Sequence, residues 1–141
     1  MSKLYKVNVL NKGEAFAGVA CVNPKRLLAI FPHEKQHRAI FNVPVAGKLM
    51  HIDIISSSIP NDLFDDDSLI RFKAADENGL PLVGPAAFNP DVVLYGIFQK
   101  FAGGPVMVLF TAFGIQIPVV ASSMNDIMQN IFTTGKIIAD A

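Results

Sequence analysis

The chain has 141 residues, and its 12 basic and 12 acidic side chains cancel to a formal net charge of zero. At 51% hydrophobic and 17% charged residues it is too apolar for disorder, and a neutral balance lacks the electrostatic footprint of a nucleic-acid binder. One cysteine, Cys21, allows neither an intrachain disulfide nor a Cys-based zinc site, so a single domain over residues 1–141 must rely on its own core.

The first residues alternate polar and apolar and lack the continuous apolar run of a signal peptide, which predicts cytoplasmic synthesis without one. Period-2 alternation predicts a strand over residues 4–10, with Tyr5, Val7 and Val9 on one face. A turn at residues 11–14 leads to a second strand over 15–22, rich in small residues, where Cys21 is expected as an inert buried thiol. Residues 26–31 read as a strand stopped by Pro32, and 32–37 as a polar turn. Strands follow over 38–43 and 48–55. In the latter, Met50, Ile52 and Ile54 share one face, and His51 and Asp53 the other, a face that should be wet or paired.

Residues 56–68 collect serines, Pro60, Asn61 and aspartates and read as a long surface loop. Residues 69–74 alternate again, with Ile70 and Phe72 inward. Asp76-Glu77-Asn78-Gly79 predicts a hairpin with a type I′ turn, returning through an edge strand over 80–83. A loop over 84–90 precedes a strand over 92–100. Residues 101–125 carry no charge and are long enough to cross a bilayer, but Gly103, Gly104, Pro105, Gln116, Pro118 and many β-branched residues favour two buried strands around Gly114. Met124, Ile127, Met128, Ile131 and Phe132 recur at helical spacing, predicting a short C-terminal helix. The expected fold is mainly β: a single-domain β-sandwich or barrel of about eight to ten short antiparallel strands with that one helix.

Chemical motifs are sparse. His33 and His37 are four apart, a metal-ligand spacing on a helix, but here they fall in a turn; with His51 and Asp53 they read as surface groups. The strand before His33 bears a loose likeness to the first barrel of chymotrypsin-like proteases, which leaves a small hydrolase using His33 or His37 as one alternative. No serine lies in a Gly-x-Ser-x-Gly elbow, and the chain is too short for a second barrel. Gly103-Gly104 runs into Pro105 and not into the lysine of a phosphate loop. Asp65, Asp66 and Asp67 could attract Ca²⁺, but they lack the alternating ligands of an EF-hand and are better read as a patch for basic residues such as Arg38 or Arg71 on a neighbour. Phe98, Phe101, Phe110 and Phe113 could line a barrel for a hydrophobic ligand, a second alternative. No catalytic, cofactor-binding or metal-ligating residue is assigned.

The positive signal is an excess. A mean hydropathy of +0.39 with zero net charge leaves more apolar surface than one chain of this size needs to bury. That predicts a non-enzymatic structural protein, a homo-oligomer or a component of a larger assembly, of which a capsid-cement or tail protein of a virion is one class. The expected interface comprises Val106, Val108, Phe110, Phe113, Ile115, Ile127, Ile131, Phe132 and the Asp65, Asp66, Asp67 loop.

Overall fold

Ten strands form among the residues that the computed structural model describes, which are 3–10, 18–43 and 48–120. Seven make one antiparallel sheet: β1 (Tyr5–Val9), β2 (Gly18–Val22), β3 (Leu27–His33), β4 (Gln36–Val43), β5 (Lys48–Ile55), β6 (Ile70–Phe72) and β7 (Ala86–Phe88), in the order β2-β1-β5-β4-β3-β7-β6. β8 (Val93–Phe101), β9 (Gly104–Thr111) and β10 (Gln116–Val120) form a second sheet in the order β10-β9-β8. The fold is a β-sandwich class, as the alternation predicts.

Each face of the large sheet is sealed by a different partner. On one face Ala29, Phe72, Ala86 and Phe88 meet Met107, Leu109, Ile117 and Val119 of the small sheet. On the other, Val7, Val9, Val22, Ile30, Ala39 and Ile54 are covered by Leu63, Phe64 and Leu69 from the segment between β5 and β6. A third cluster, Ala75, Val106, Val108 and Val120, lies on the opposite side of the small sheet, with Phe101 and Phe110 packed against it. Burying a large aliphatic or aromatic side chain in such clusters contributes roughly 1.5–3 kcal/mol.

One segment belongs to both sheets. Residues 70–72 pair with β7, and the chain continues so that Ala75 N–H donates to the Pro118 carbonyl and Val120 N–H to the Lys73 carbonyl. The same stretch meets residues 81–82, where Leu82 N–H donates to the Ala74 carbonyl. A strand that leaves one sheet and joins another forms the corner of a sandwich.

Several expectations need correction. Pro32 does not stop β3; it is buried within it, opposite His37. β7 reaches only Ala29 and Ile30, so the missing N–H of Pro32 interrupts no ladder on that side. The turn shrinks to Glu34-Lys35, with Glu34 at φ 56°, a conformation usually left to glycine. The stretch 56–68 is not purely surface. It contains a short 3₁₀ turn and one helical turn, α1 (Asn61–Phe64), whose adjacent Leu63 and Phe64 plug the core.

Inside the expected loop 84–90 lies β7, three residues buried on both faces and therefore without alternation. The return strand over 80–83 reduces to an isolated bridge at Pro81, and Val83 is 92% exposed. The 76–80 turn forms, but only Gly79 has positive φ. The Asp76 carboxylate, not a type I′ backbone, organises it by accepting from the N–H groups of Asn78 and Leu80. Cys21 is exposed, because it shares its side of edge strand β2 with Val19 and not with Val22. The C-terminal helix expected around residues 123–132 lies outside the described residues, as do 15–17 of the second strand and 44–47 after β4. Residues 101–120 end β8 and form β9 and β10, and among the described residues no helix is long and apolar enough to cross a membrane.

Candidate assembly surface

The candidate surface is built by β8. This strand pairs with β9 from Tyr95↔Phe110 to Phe101↔Gly104 after a register shift between Val93 and Tyr95, and among the described residues it has no strand on its other side. A strand at a sheet edge presents a row of backbone donors and acceptors to whatever comes alongside. Consecutive residues on β8 are exposed: Leu94 is 64%, Tyr95 52% and Ile97 46% accessible. Exposure on both faces distinguishes an open edge from a strand that merely has one wet face. Nothing charged occurs from Val93 to Gln99; Lys100 comes next to last.

Packing holds this edge in shape. Tyr95 stacks on Phe110 at 4.9 Å and 17°, and Ile97 stands opposite Val108. At Gly96 the Leu109 and Met107 side chains close over the backbone, and a Cβ there would lie 2.8 Å from both, so they would have to shift. At the hairpin tip, Gly103 N–H donates to the Asn78 carbonyl at 2.7 Å, pinning the end of β8 and β9 to the 76–80 turn. The edge is therefore a braced ribbon, with apolar side chains on a fixed backbone.

The expected interface residues separate in the structure. Val106 and Val108 are enclosed by the chain itself, at 0% and 4% exposure, and Phe110 and Ile115 are half-buried. Phe113, 38% exposed, lies in the turn between β9 and β10. Ile127, Ile131 and Phe132 lie outside the described residues. Sequence reading named the centre of the small sheet because its apolar density is greatest there. The accessible groups are Leu94, Tyr95 and Ile97 on β8, and only an edge position, invisible to periodicity, marks them.

The four phenylalanines expected to line one cavity are divided: Phe98 packs on the inter-sheet core, Phe101 and Phe110 on the opposite cluster, and Phe113 is exposed.

The acidic loop forms a second surface. Asp62, Asp65, Asp66 and Asp67 line a cleft of about 460 Å³ with Lys3, Lys25, Tyr5 and Ser68. Two of these carboxylates are engaged within the chain: the Arg71 guanidinium donates to Asp65, the Tyr5 hydroxyl to Asp66 at 2.9 Å, and the Ser68 N–H to Asp66 at 2.9 Å. Burial alone would raise the Asp66 pKa, but bonds from Ser68 and Tyr5 and the charge of Lys3 outweigh it and hold the carboxyl below its usual range. Partial desolvation and the same carboxylate push the Tyr5 phenol up. The arginines expected on a neighbour are thus occupied at home, Arg71 with Asp65 and Arg38 with Asp53 at 2.9 Å. Among the described residues no three His, Cys, Asp or Glu side chains gather where they could hold a metal ion.

His33 is half-buried, and His37 is not a surface group at all but 5% exposed. Its Nε2 donates to the Pro85 carbonyl at 3.0 Å, and its Nδ1 lies 3.1 Å from the Ser56 hydroxyl oxygen. Ser56 also reaches the Lys35 carbonyl at 3.1 Å. The imidazole packs against Phe64, with centroids 5.7 Å apart, and burial lowers its pKa against the opposing pull of Pro85. A carbonyl, not a carboxylate, orients the ring. The contact joins β4, the 3₁₀ turn and the segment before β7, and acts as a polar pin between them.

Compared with protein-family models, curated proteins and solved structures, the chain matches none.

Proposed function

We propose that this chain is a non-enzymatic structural subunit that works by assembling, with copies of itself or as a component that decorates a repeating shell or tube. The observation that carries this reading is the β8 edge: nine residues of strand with Leu94, Tyr95 and Ile97 exposed and no charge before Lys100. Soluble chains normally guard such edges with charge, proline or a covering segment. Neutral net charge adds to the tendency to associate. Virion capsid-cement and tail components are a class with this composition and architecture, an analogy at the level of fold.

The mechanism is burial of the β8 side chains together with completion of its backbone ladder, and the acidic cleft stays solvated at the far side of the large sheet. Ser56 and His37 are read as structural, because among the described residues no acid bonds to the imidazole and the serine hydroxyl donates to a backbone carbonyl. Native mass spectrometry with negative-stain microscopy tests the proposal at up to about 100 µM chain, a concentration at which contacts of modest affinity populate. Discrete oligomers or ordered arrays are expected; a monomer throughout that range refutes it.

A further inference from the structure

We infer that the occupant of the β8 edge is β8 of a second copy, antiparallel, about a two-fold axis at Ile97, so that two small sheets become one continuous six-stranded sheet. This rests on the assembly reading above and fixes its partner and register. An axis perpendicular to a sheet places residues of the same face opposite each other, so it must pass through a residue position of the strand. β8 offers three central choices. An axis at Gly96 sets glycine against glycine, so the centre of the ladder has no cross-strand side-chain pair. An axis at Phe98 places Gly96 opposite Lys100 and crowds two phenylalanines that already pack on the inter-sheet core.

The axis at Ile97 removes both faults. Gly96, over which the Leu109 and Met107 side chains of its own sheet close, then stands opposite the partner's Phe98, an aromatic-glycine pairing that favours edge register. Ile97 meets its own copy as a β-branched pair beside Tyr95 opposite the partner's Gln99. Lys100 faces the partner's Leu94, so its methylenes lie along an apolar neighbour and the two ammonium groups stay about 20 Å apart, where screening removes their repulsion. Self-pairing needs no opposite charge, and from Val93 to Gln99 β8 carries none that would draw a partner of another kind. Paired from Leu94 to Lys100 the ladder runs about 24 Å, a contact at the small end of specific interfaces. The register shift between Val93 and Tyr95 ends the ladder on one side, and the hairpin turn after Phe101 ends it on the other.

A disulfide-formation scan tests the register in a Cys21→Ser background, with single cysteines in place of Tyr95, Ile97 and Gln99 under mild oxidation. Ile97→Cys brings the two sulfurs together on the axis, whereas residues 95 and 99 lie about 13 Å from their copies. Cross-linking through Ile97→Cys is expected to be roughly tenfold faster than through either flank. Dissociation on Ile97→Lys, with the circular dichroism spectrum and melting temperature kept because Ile97 is an edge residue, supports the same contact. Oligomers that persist in Ile97→Lys, or a scan whose maximum lies elsewhere, overturn the register and leave the assembly proposal standing. A wild-type chain that stays monomeric overturns both.

Discussion

Replacing Phe64 by alanine removes the largest side chain that α1 contributes to the large sheet. Phe64 is 2% exposed, packs with Val7, Ile30, Ile54 and Leu63, and lies against the His37 ring. Its outer side carries the Arg71 guanidinium 5.4 Å from the ring centroid. Phenylalanine-to-alanine changes in a closed core cost about 3–5 kcal/mol. The half-exposed cation adds no more than about 0.5 kcal/mol. A total near 4 kcal/mol is a large part of the 5–15 kcal/mol that holds a domain folded. With a urea slope of about 2 kcal/mol/M, the unfolding midpoint should fall by roughly 2 M. Equilibrium unfolding followed by circular dichroism measures this directly, with Phe113→Ala as the comparison, expected to cost under about 1 kcal/mol at 38% exposure. A Phe64→Ala loss below about 1 kcal/mol would mean that the β5–β6 segment merely rests on the sheet and that the second core is not closed by it.

Three further outcomes follow from local geometry. Burial lowers the His37 pKa, so the unfolded chain takes up the proton first: the stability this group confers is intact above its ordinary value of 6.5 and is lost as pH falls through the lower folded value. Urea midpoints measured between pH 8 and pH 5 should show that slope in the wild type and a flatter profile in His37→Gln; equal slopes refute it. Gly79→Ala places a Cβ 2.5 Å from the Phe101 Cβ at φ 86° and should cost about 2–3 kcal/mol in a thermal melt, and an unchanged melting temperature would contradict the packing of that turn on β8. Glu34→Gly relieves a positive φ of 56° in the β3–β4 turn and should stabilise by about 0.5 kcal/mol, whereas a clear loss would show that the carboxylate serves a contact.

Alternation carried most of the fold because most strands have one apolar face. β1, β4 and β5 fall within a few residues of where side-chain period alone puts them, β5 spanning the expected 48–55, and β9 and β10 lie on either side of Gly114, where the uncharged, β-branched run predicts two buried strands. β7 escaped because Ala86–Phe88 is buried on both sides and framed by Pro85 and Asn89, which imitate a loop. α1 escaped because one turn has no period to detect. Its core role was visible only as the adjacent pair Leu63 and Phe64 among aspartates. His37 was read as polar and therefore outside, although it sits on the side of β4 that also carries Ala39 and satisfies both ring nitrogens there. For the surface the difficulty is of another kind. The expected interface residues of the small sheet, Val106 to Ile115, follow apolar density, while exposure depends on which strand ends up last in its sheet, a property of strand order that no local window contains.

The corner at residues 73–75 has a mechanical meaning. If β8 couples neighbouring subunits, a pull across the array passes from β8 through β9 to β10 and then into the large sheet along this short seam. The neighbouring ladders, β9 with β10 and β9 with β8, match five and eight residue pairs, whereas among the described residues the seam's backbone bonds include Ala75 to Pro118 and Val120 to Lys73. Stretching should therefore part the subunit at its corner before it separates the strands of either sheet, so that the seam acts as the compliant joint of an otherwise stiff lattice.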